Sequence, residues 1–230
     1  MKKQQPQISE DRIVEASWEL LKEGEIEKFS MRKLADRLGI QAPSLYWHFK
    51  SKQDLYQRLA GRIAKKITEE FRAEGDWRQQ LAELAAAMRN VLERYPCATQ
   101  LMMMTLPHEP DNIRLTNRML LCLEPTPLAP EQRFQAILTL TNYVFHFVLD
   151  NEQHQRAVSA LVQEKETVPY GEMSELLDGM SEEDAGLFRK LFKNGLFELM
   201  GTDKAFDFGV KLILLGIEQV IEEQEAQSEV

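Results

Sequence analysis

Apolar residues return at a period near 3.6 along almost the whole chain, and few residues interrupt the pattern. Leu55, Leu59, Ile63, Ile67 and Phe71 share one stripe, Leu81, Leu84, Met88 and Val91 another, and Phe206, Val210, Ile213, Leu214, Ile217, Val220 and Ile221 a third. Such spacing places side chains on one face of an α-helix. With only 11 Gly and 9 Pro among 230 residues, the expected fold class is all-α, and a 43% hydrophobic content supplies a sizeable core.

The punctuation sets the expected helices. Ser9 opens the first, with Glu10 and Asp11 in its first turn, and Gly24 stops it. Ser30 caps a short second helix that ends at Leu38-Gly39. A third begins around Gln41 to Ser44 and lasts barely two turns, because Ser51 restarts the chain with the capping pattern Ser-Lys-Gln-Asp. The fourth helix is expected to run to near Gly75. Longer helices follow at 76–94, 97–106, 111–124, 130–154, 182–200 and 203–225, with 155–181, broken by Pro169, Gly171 and Gly179, read as a mobile connection. The helix from Pro130 is apolar nearly all round and the last helix is a milder case. Together they read as an intersubunit pair or as an internal core.

The net charge of −9 hides an asymmetry. Residues 1–72 hold 15 Lys/Arg against 11 Asp/Glu, whereas residues 73–230 hold 13 against 26. Within 28–66 there are ten basic and two acidic residues. A small basic head on an acidic body suits a polyanionic partner for the head alone. No stretch reaches the length of a membrane helix, and residues 1–11 lack the apolar run of a signal peptide, so a cytoplasmic protein with no membrane partner is expected. Cys97 and Cys122 read as buried free thiols. No Ser/His/Asp set, phosphate loop or metal-ligand cluster has usable spacing, and His146 with Asp150 makes only two ligands. The expectation is no enzyme, no metal and no cofactor.

Two short helices meeting at Leu38-Gly39-Ile40 and packed on a longer preceding helix form a helix-turn-helix, whose second helix can enter a DNA major groove. Leu45 and Phe49 supply the inward contacts, which leaves Gln41, Ser44, Tyr46, Trp47 and His48 facing outward with groups that can meet phosphates or base edges. Tyr46 and Trp47 also suit half-buried packing, and His48 an ordinary surface position. Pro43 fits a helix start and can pack on a thymine methyl. Lys50 and Lys52 can neutralise phosphates, Arg32 can reach a guanine edge, and Ser30 can present backbone N–H groups to a phosphate.

The run Ser-Met-Arg-Lys-Leu-Ala-Asp-Arg-Leu-Gly-Ile-Gln-Ala-Pro-Ser-Leu-Tyr-Trp-His-Phe-Lys-Ser-Lys-Gln-Asp-Leu at 30–55 resembles the DNA-binding signature of the tetracycline-repressor (TetR) family of bacterial transcription regulators. Further matches fall in order at Asp76-Trp77, Glu93-Arg94-Tyr95, Thr105 to Pro107 and Val148 to His154. The resemblance implies a homodimer with DNA-binding heads (1–51, continued by a linking helix over 51–75) on a ligand-binding and dimerisation body (52–230), acting on a partly palindromic double-stranded operator. Ala42 stands where tetracycline-responsive members carry a base-reading glutamine, so a different operator is implied.

Those members hold a tetracycline–magnesium complex, and carrying their ligand-contacting positions over gives Thr68, Leu84, Met88, Met102, Thr105, Arg118 and Asp150. Magnesium requires hard oxygen ligands, which this set does not supply, so the effector is not expected to be tetracycline–magnesium. The set is apolar and adaptable instead. Met103, Met104, Phe134, Ile137 and Phe145 are expected nearby, which suits a hydrophobic small molecule. The reading is therefore a repressor released by such an effector. A helical ligand-sequestering protein without operator recognition, and a regulator without an effector, stay open.

Overall fold

The computed structural model describes residues 8–23, 26–165, 170–195 and 199–228. The expected stop at Gly24, the break at Pro169 and the N-terminal residues 1–7 lie outside them. Eleven α-helices and one 3-10 turn, with no strand, make up the regular structure of the described residues. None of these helices is long and apolar enough to cross a membrane.

The head is assembled by local caps. Helix α1 (Glu10–Lys22) starts where the Ser9 side chain accepts from Arg12 N, and α2 (Met31–Leu38) where Ser30 accepts from Lys33 N. Each cap satisfies an amide that the first helical turn leaves unpaired. Gly39 ends α2 in the left-handed region at φ 66°, and its N–H and that of Ile40 return to Asp36 O and Ala35 O. That conformation, which glycine adopts without a Cβ clash, turns the chain sharply into α3 (Ala42–Tyr46). Ser51 then caps α4 (Lys52–Glu70) by accepting from Asp54 N, while the Asp54 carboxylate accepts from Lys50 N at 2.8 Å.

Helix α4 ends at Glu70, short of the expected Gly75. Phe71 is already extended because its ring is buried, and Gly75 at φ 82° and Asp76 form the lead-in to the next cap. The body continues with α5 (Trp77–Arg94), α6 (Ala98–Met103), α7 (Pro110–Cys122) and α8 (Pro130–Lys165). Its last helices are α9 (Tyr170–Gly179), α10 (Glu182–Lys193) and α11 (Asp203–Ser228). The expected mobile connection over 155–181 is thus largely helical: α8 continues to Lys165, through good helix formers with no internal Pro or Gly, and α9 follows. Conversely, α10 stops at Lys193 rather than near 200, and Gly195 lies at φ 77°.

One continuous hydrophobic cluster runs from Ile13 in α1 to Ile221 in α11. Tyr143 of α8 donates to Phe206 O at 2.9 Å, and Arg89 of α5 lies over the rings of Phe147 and Phe206, which ties α5, α8 and α11 together. The nearly all-apolar α8 is not buried on every side within the chain, since Phe134 and Leu138 are exposed. Phe208, Leu212, Leu215 and Val220 leave α11 similarly open. Cys97 and Cys122 are buried free thiols, and burial pushes Cys122 up to about 11.

No side chain or backbone lies within 4 Å of a Cβ built at Gly39, so Gly39→Ala changes only the backbone preference. The expected cost is about 1 kcal/mol, seen as a lower urea midpoint with an unchanged slope.

Candidate nucleic-acid interface and effector cavity

The inward face of the head is settled by burial. Ile13, Leu34, Leu45, Phe49 and Leu55 are all essentially inaccessible, and Tyr56 donates from its buried hydroxyl to Ile26 O at 3.2 Å. With Leu45 and Phe49 committed inward, α3 and the turn after it present the rest of their residues outward. Gln41, Pro43, Tyr46, Trp47 and Lys50 are exposed, and Ala42, Ser44 and His48 are partly exposed. Trp47 is 87% exposed, so it is not a half-buried packing residue in this chain, whereas Tyr46, at 51%, has about half of its surface covered. Two adjacent aromatics with polar neighbours on a solvent-facing surface mark a contact site.

The positive charge of the head is more local than its composition. Arg37 pairs with Glu23 and Arg62 with Asp11, while Arg58 lies 3.7 Å from both Glu10 and Glu109. Among the described residues Arg32 and Lys50 pair with no acid; both are exposed, Arg32 in the first turn of α2 and Lys50 between α3 and α4. Lys33 and Lys52 also lack an acidic partner there, but each donates to a backbone carbonyl, Lys33 to Lys28 O and Lys52 to Phe29 O, both at 2.9 Å. Lys52 further sits 5.1 Å from the Tyr56 ring centre, so its ammonium is held at the α2 edge of the head. Ser30, partly buried, spends its hydroxyl oxygen on the α2 cap.

In the body, α5, α6, α7, α8 and the loop between α6 and α7 form a cavity of about 220 Å³ that opens at the exposed Phe134 and Leu138. It brings together six of the expected residues: Met88, Met102, Thr105, Phe134, Ile137 and Phe145. The face of α7 carrying Asn112, Leu115, Thr116 and Met119 completes the wall, together with Pro107, Leu138 and Thr141. That face follows the i, i+3, i+4, i+7 spacing and was visible as a pattern, but nothing in the sequence told which neighbour it faces.

Thr68, Leu84, Arg118 and Asp150, expected beside them, do not line this cavity. Arg118 falls off the α7 stripe and instead donates to Thr68 O at 2.9 Å and Phe71 O at 3.5 Å, closing the carbonyl end of α4. Thr68 donates its own hydroxyl to Ala64 O. Leu84 is buried in the core, and Asp150 is exposed, out of phase with the lining stripe of α8. Met103 and Met104 are also exposed. The donor set does not fit a magnesium complex: no carboxylate or imidazole stands among the lining residues, and among the described residues no three His, Cys, Asp or Glu cluster.

The cavity wall is fastened to α4. Gln53 donates to Met104 O at 3.0 Å. Gln57, buried and oriented to satisfy both ends of its amide, donates to Leu106 O at 2.7 Å and His108 Nδ1 at 3.2 Å and accepts from Leu106 N at 3.0 Å. At Gly61 a Cβ would come within 3.2 Å of Glu109 Cβ, so α4 and the start of α7 are in near contact. The loop that contributes Thr105 and Pro107 to the cavity is thus hydrogen-bonded to the helix that emerges from the head.

A three-helix head with a helix-turn-helix, joined through its fourth helix to a helical body, defines the class of helix-turn-helix transcription regulators. Residues 13–59 match the model for bacterial regulatory proteins of the tetR family, and residues 72–221 that for the tetracyclin repressor-like C-terminal domain. The chain therefore belongs to the TetR family of transcription regulators. It is 30% identical to the class G tetracycline repressor of Vibrio anguillarum over 93% of this chain and 95% of that one. A variant TetR of Acinetobacter baumannii in complex with minocycline aligns with a TM-score of 0.64 at 28% identity, covering 93% of this chain and 98% of that one. BioQ with its natural double-stranded DNA operator shares the fold at a TM-score of 0.57 and 22% identity, covering 65% of this chain and 89% of that one.

Replacing Trp47 by Ala is expected to weaken operator binding by about 1–3 kcal/mol, read by fluorescence anisotropy. Lys50→Ala is expected to lower the slope of log affinity against log salt by about one. Both side chains are exposed, so the thermal midpoints should stay within about 1 kcal/mol equivalent of the parent.

Proposed function

We propose that the protein is a cytoplasmic, homodimeric, sequence-specific DNA-binding repressor, not an enzyme, released from a palindromic operator by a hydrophobic small molecule. The observation that carries this reading is the shared helix α4. It follows directly on the exposed aromatic surface of α3, and its first two turns are hydrogen-bonded to a cavity-lining loop. In this division residues 1–51 read DNA, and the body from 52 onward binds the ligand and the second subunit.

On the DNA side, Gln41, Ala42, Pro43, Ser44, Tyr46, Trp47 and His48 meet base edges and sugar-phosphate. Ser30, Arg32, Lys50 and Lys52 hold the flanking phosphates. The exposed faces of α8 and α11 supply apolar area for a twofold interface, which sets two heads about 34 Å apart for half-sites one helical turn apart. A ligand between Met88, Met102, Thr105 and α8 displaces the 104–109 loop. Gln53 and Gln57 pass the displacement to α4, and the head spacing changes. The required coupling is modest, about 1–3 kcal/mol, or about 5- to 150-fold in operator affinity.

The test is a gel shift on DNA upstream of the protein's own gene, followed by a thermal-shift ligand screen and addition of each hit to the complex. Retarded DNA that the hit releases supports the reading. Absence of any shift at low salt overturns the regulator assignment and leaves a ligand-sequestering protein. Gln57→Leu removes the fastening without touching α3: the ligand should still bind, but its effect on operator affinity should fall at least about fivefold, read by anisotropy across a ligand titration.

A further inference from the structure

The cavity wall carries three hydroxyls, and two of them have committed their protons. Thr105 donates to Leu101 O at 2.7 Å, and Thr116 to Asn112 O at 3.0 Å. A bond back to the preceding turn is how a threonine in or beside a helix settles its proton. Thr141, on the same wall, makes no hydrogen bond among the described residues, although Thr139 on the same helix donates to Gln135 O at 2.9 Å. Asn112 offers a ligand little in its place, being 4% exposed with its amide oxygen fully buried.

The Thr141 hydroxyl opens into the cavity rather than onto the outer surface. Thr141 is partly exposed, yet Ile137, Val144 and Phe145, one turn before and after it on α8, are 4%, 0% and 8% exposed. Positions three and four apart share a helix face, so Thr141 stands on the inward face and the space it meets is the cavity. Its oxygen is not among the buried unpartnered atoms, so a ligand can reach it. Leu138 stands at the mouth and Phe145 deeper, which puts the hydroxyl one turn inward of the entrance.

Charge narrows the ligand. No Asp, Glu, Lys, Arg or His lines the cavity, so an ion brought against its methionine, leucine and phenylalanine wall would lose hydration with no countercharge. An uncharged acceptor fares differently at one point only. A carbonyl that reaches Thr141 exchanges a water molecule for a protein donor, whereas elsewhere on the apolar wall it is desolvated without a partner.

We infer that the effector is an uncharged, mainly apolar molecule bearing a ketone or ester carbonyl that accepts from Thr141 Oγ1. Thr141 is thereby the specificity-determining residue of the cavity. The inference rests on the effector reading above, but it concerns binding and can be measured without DNA.

Two probes of one shape isolate the acceptor: 2-acetylnaphthalene and 2-isopropenylnaphthalene, which differ only in C=O against C=CH2. Each is measured by equilibrium dialysis against the full-length parent and Thr141→Val, whose side chain keeps the shape of threonine without the hydroxyl. The ketone is expected to bind the variant about 2- to 12-fold more weakly than the parent, the fold-equivalent of one net hydrogen bond, while the hydrocarbon binds it as tightly or more so. Thr141→Ser, which supplies a hydroxyl again, should return the ketone's affinity toward that of the parent. In infrared difference spectra the carbonyl stretch of the bound ketone should lie lower in the parent than in the valine variant. The inference is overturned if neither probe binds the parent, or if Thr141→Val leaves the ketone's affinity unchanged or lowers it no more than the hydrocarbon's. Should the valine variant fail to fold, the carbonyl stretch in the parent decides: a frequency no lower than in hexane, where nothing donates, overturns the inference. Thr141-dependent ketone binding that leaves the operator complex intact upholds the inference and sinks the effector reading. Release of DNA by both probes, equally from the parent and the valine variant, does the reverse.

Discussion

The structure depends on burial along α4. Leu55, Leu59, Ile63 and Ile67 are wholly inaccessible on one stripe of a 19-residue helix. The same helix closes the core of the head through Leu55 and Tyr56 and packs against α5, α6 and α7 in the body. A helix of this length spans about 28 Å, so it carries a displacement from one end to the other as a lever. Close-packed interfaces shift between discrete arrangements rather than stretching. Once the head and body share this stripe, the 104–109 loop that lines the cavity meets α4 within two turns of α3.

Polar contacts refine that connection. Exposed ion pairs such as Arg62 with Asp11 contribute little stability, being screened by water. They do remove basic side chains from the surface offered to a polyanion. The head's excess of lysine and arginine is therefore spent unevenly: Arg37, Arg58 and Arg62 face acids of the same chain, and Arg32, in the first turn of α2, and Lys50, between α3 and α4, do not. Charge counting points to a third of the chain, and only the folded arrangement separates the paired cations from the unpaired ones. The buried amide of Gln57 is a different kind of contact, because both its ends are satisfied by the backbone of one loop and breaking it exposes no alternative partner.

The head was legible in the sequence because its determinants are local. Ser9, Ser30 and Ser51 cap the helices they precede, Gly39 makes the turn, and the burial of Leu45 and Phe49 follows from their four-residue spacing. Of the positions carried over from the family resemblance, those on a stripe facing the cavity line it, as at Met88, Met102 and Thr105. It carried over Arg118 and Thr68 to a place where they now bond each other at the end of α4, a substitution of structural for ligand chemistry that depends on a contact 50 residues apart in sequence. The helical continuation over 155–165 does carry a periodic signal, since Val158, Leu161 and Val162 keep the i, i+3, i+4 spacing; the glycines and proline further on, at 169–179, obscured it.

The composition of the cavity also bounds how selective it can be. In an apolar pocket one methylene is worth only about 1–3 kcal/mol, and a wall of methionines adapts to more than one shape. Discrimination by shape alone would therefore be shallow here. Part of that adaptable wall lies on α7, the helix whose start meets α4 at Gly61 and Glu109 and whose Arg118 closes the carbonyl end of α4, so the lining and the head-to-body contact share one element.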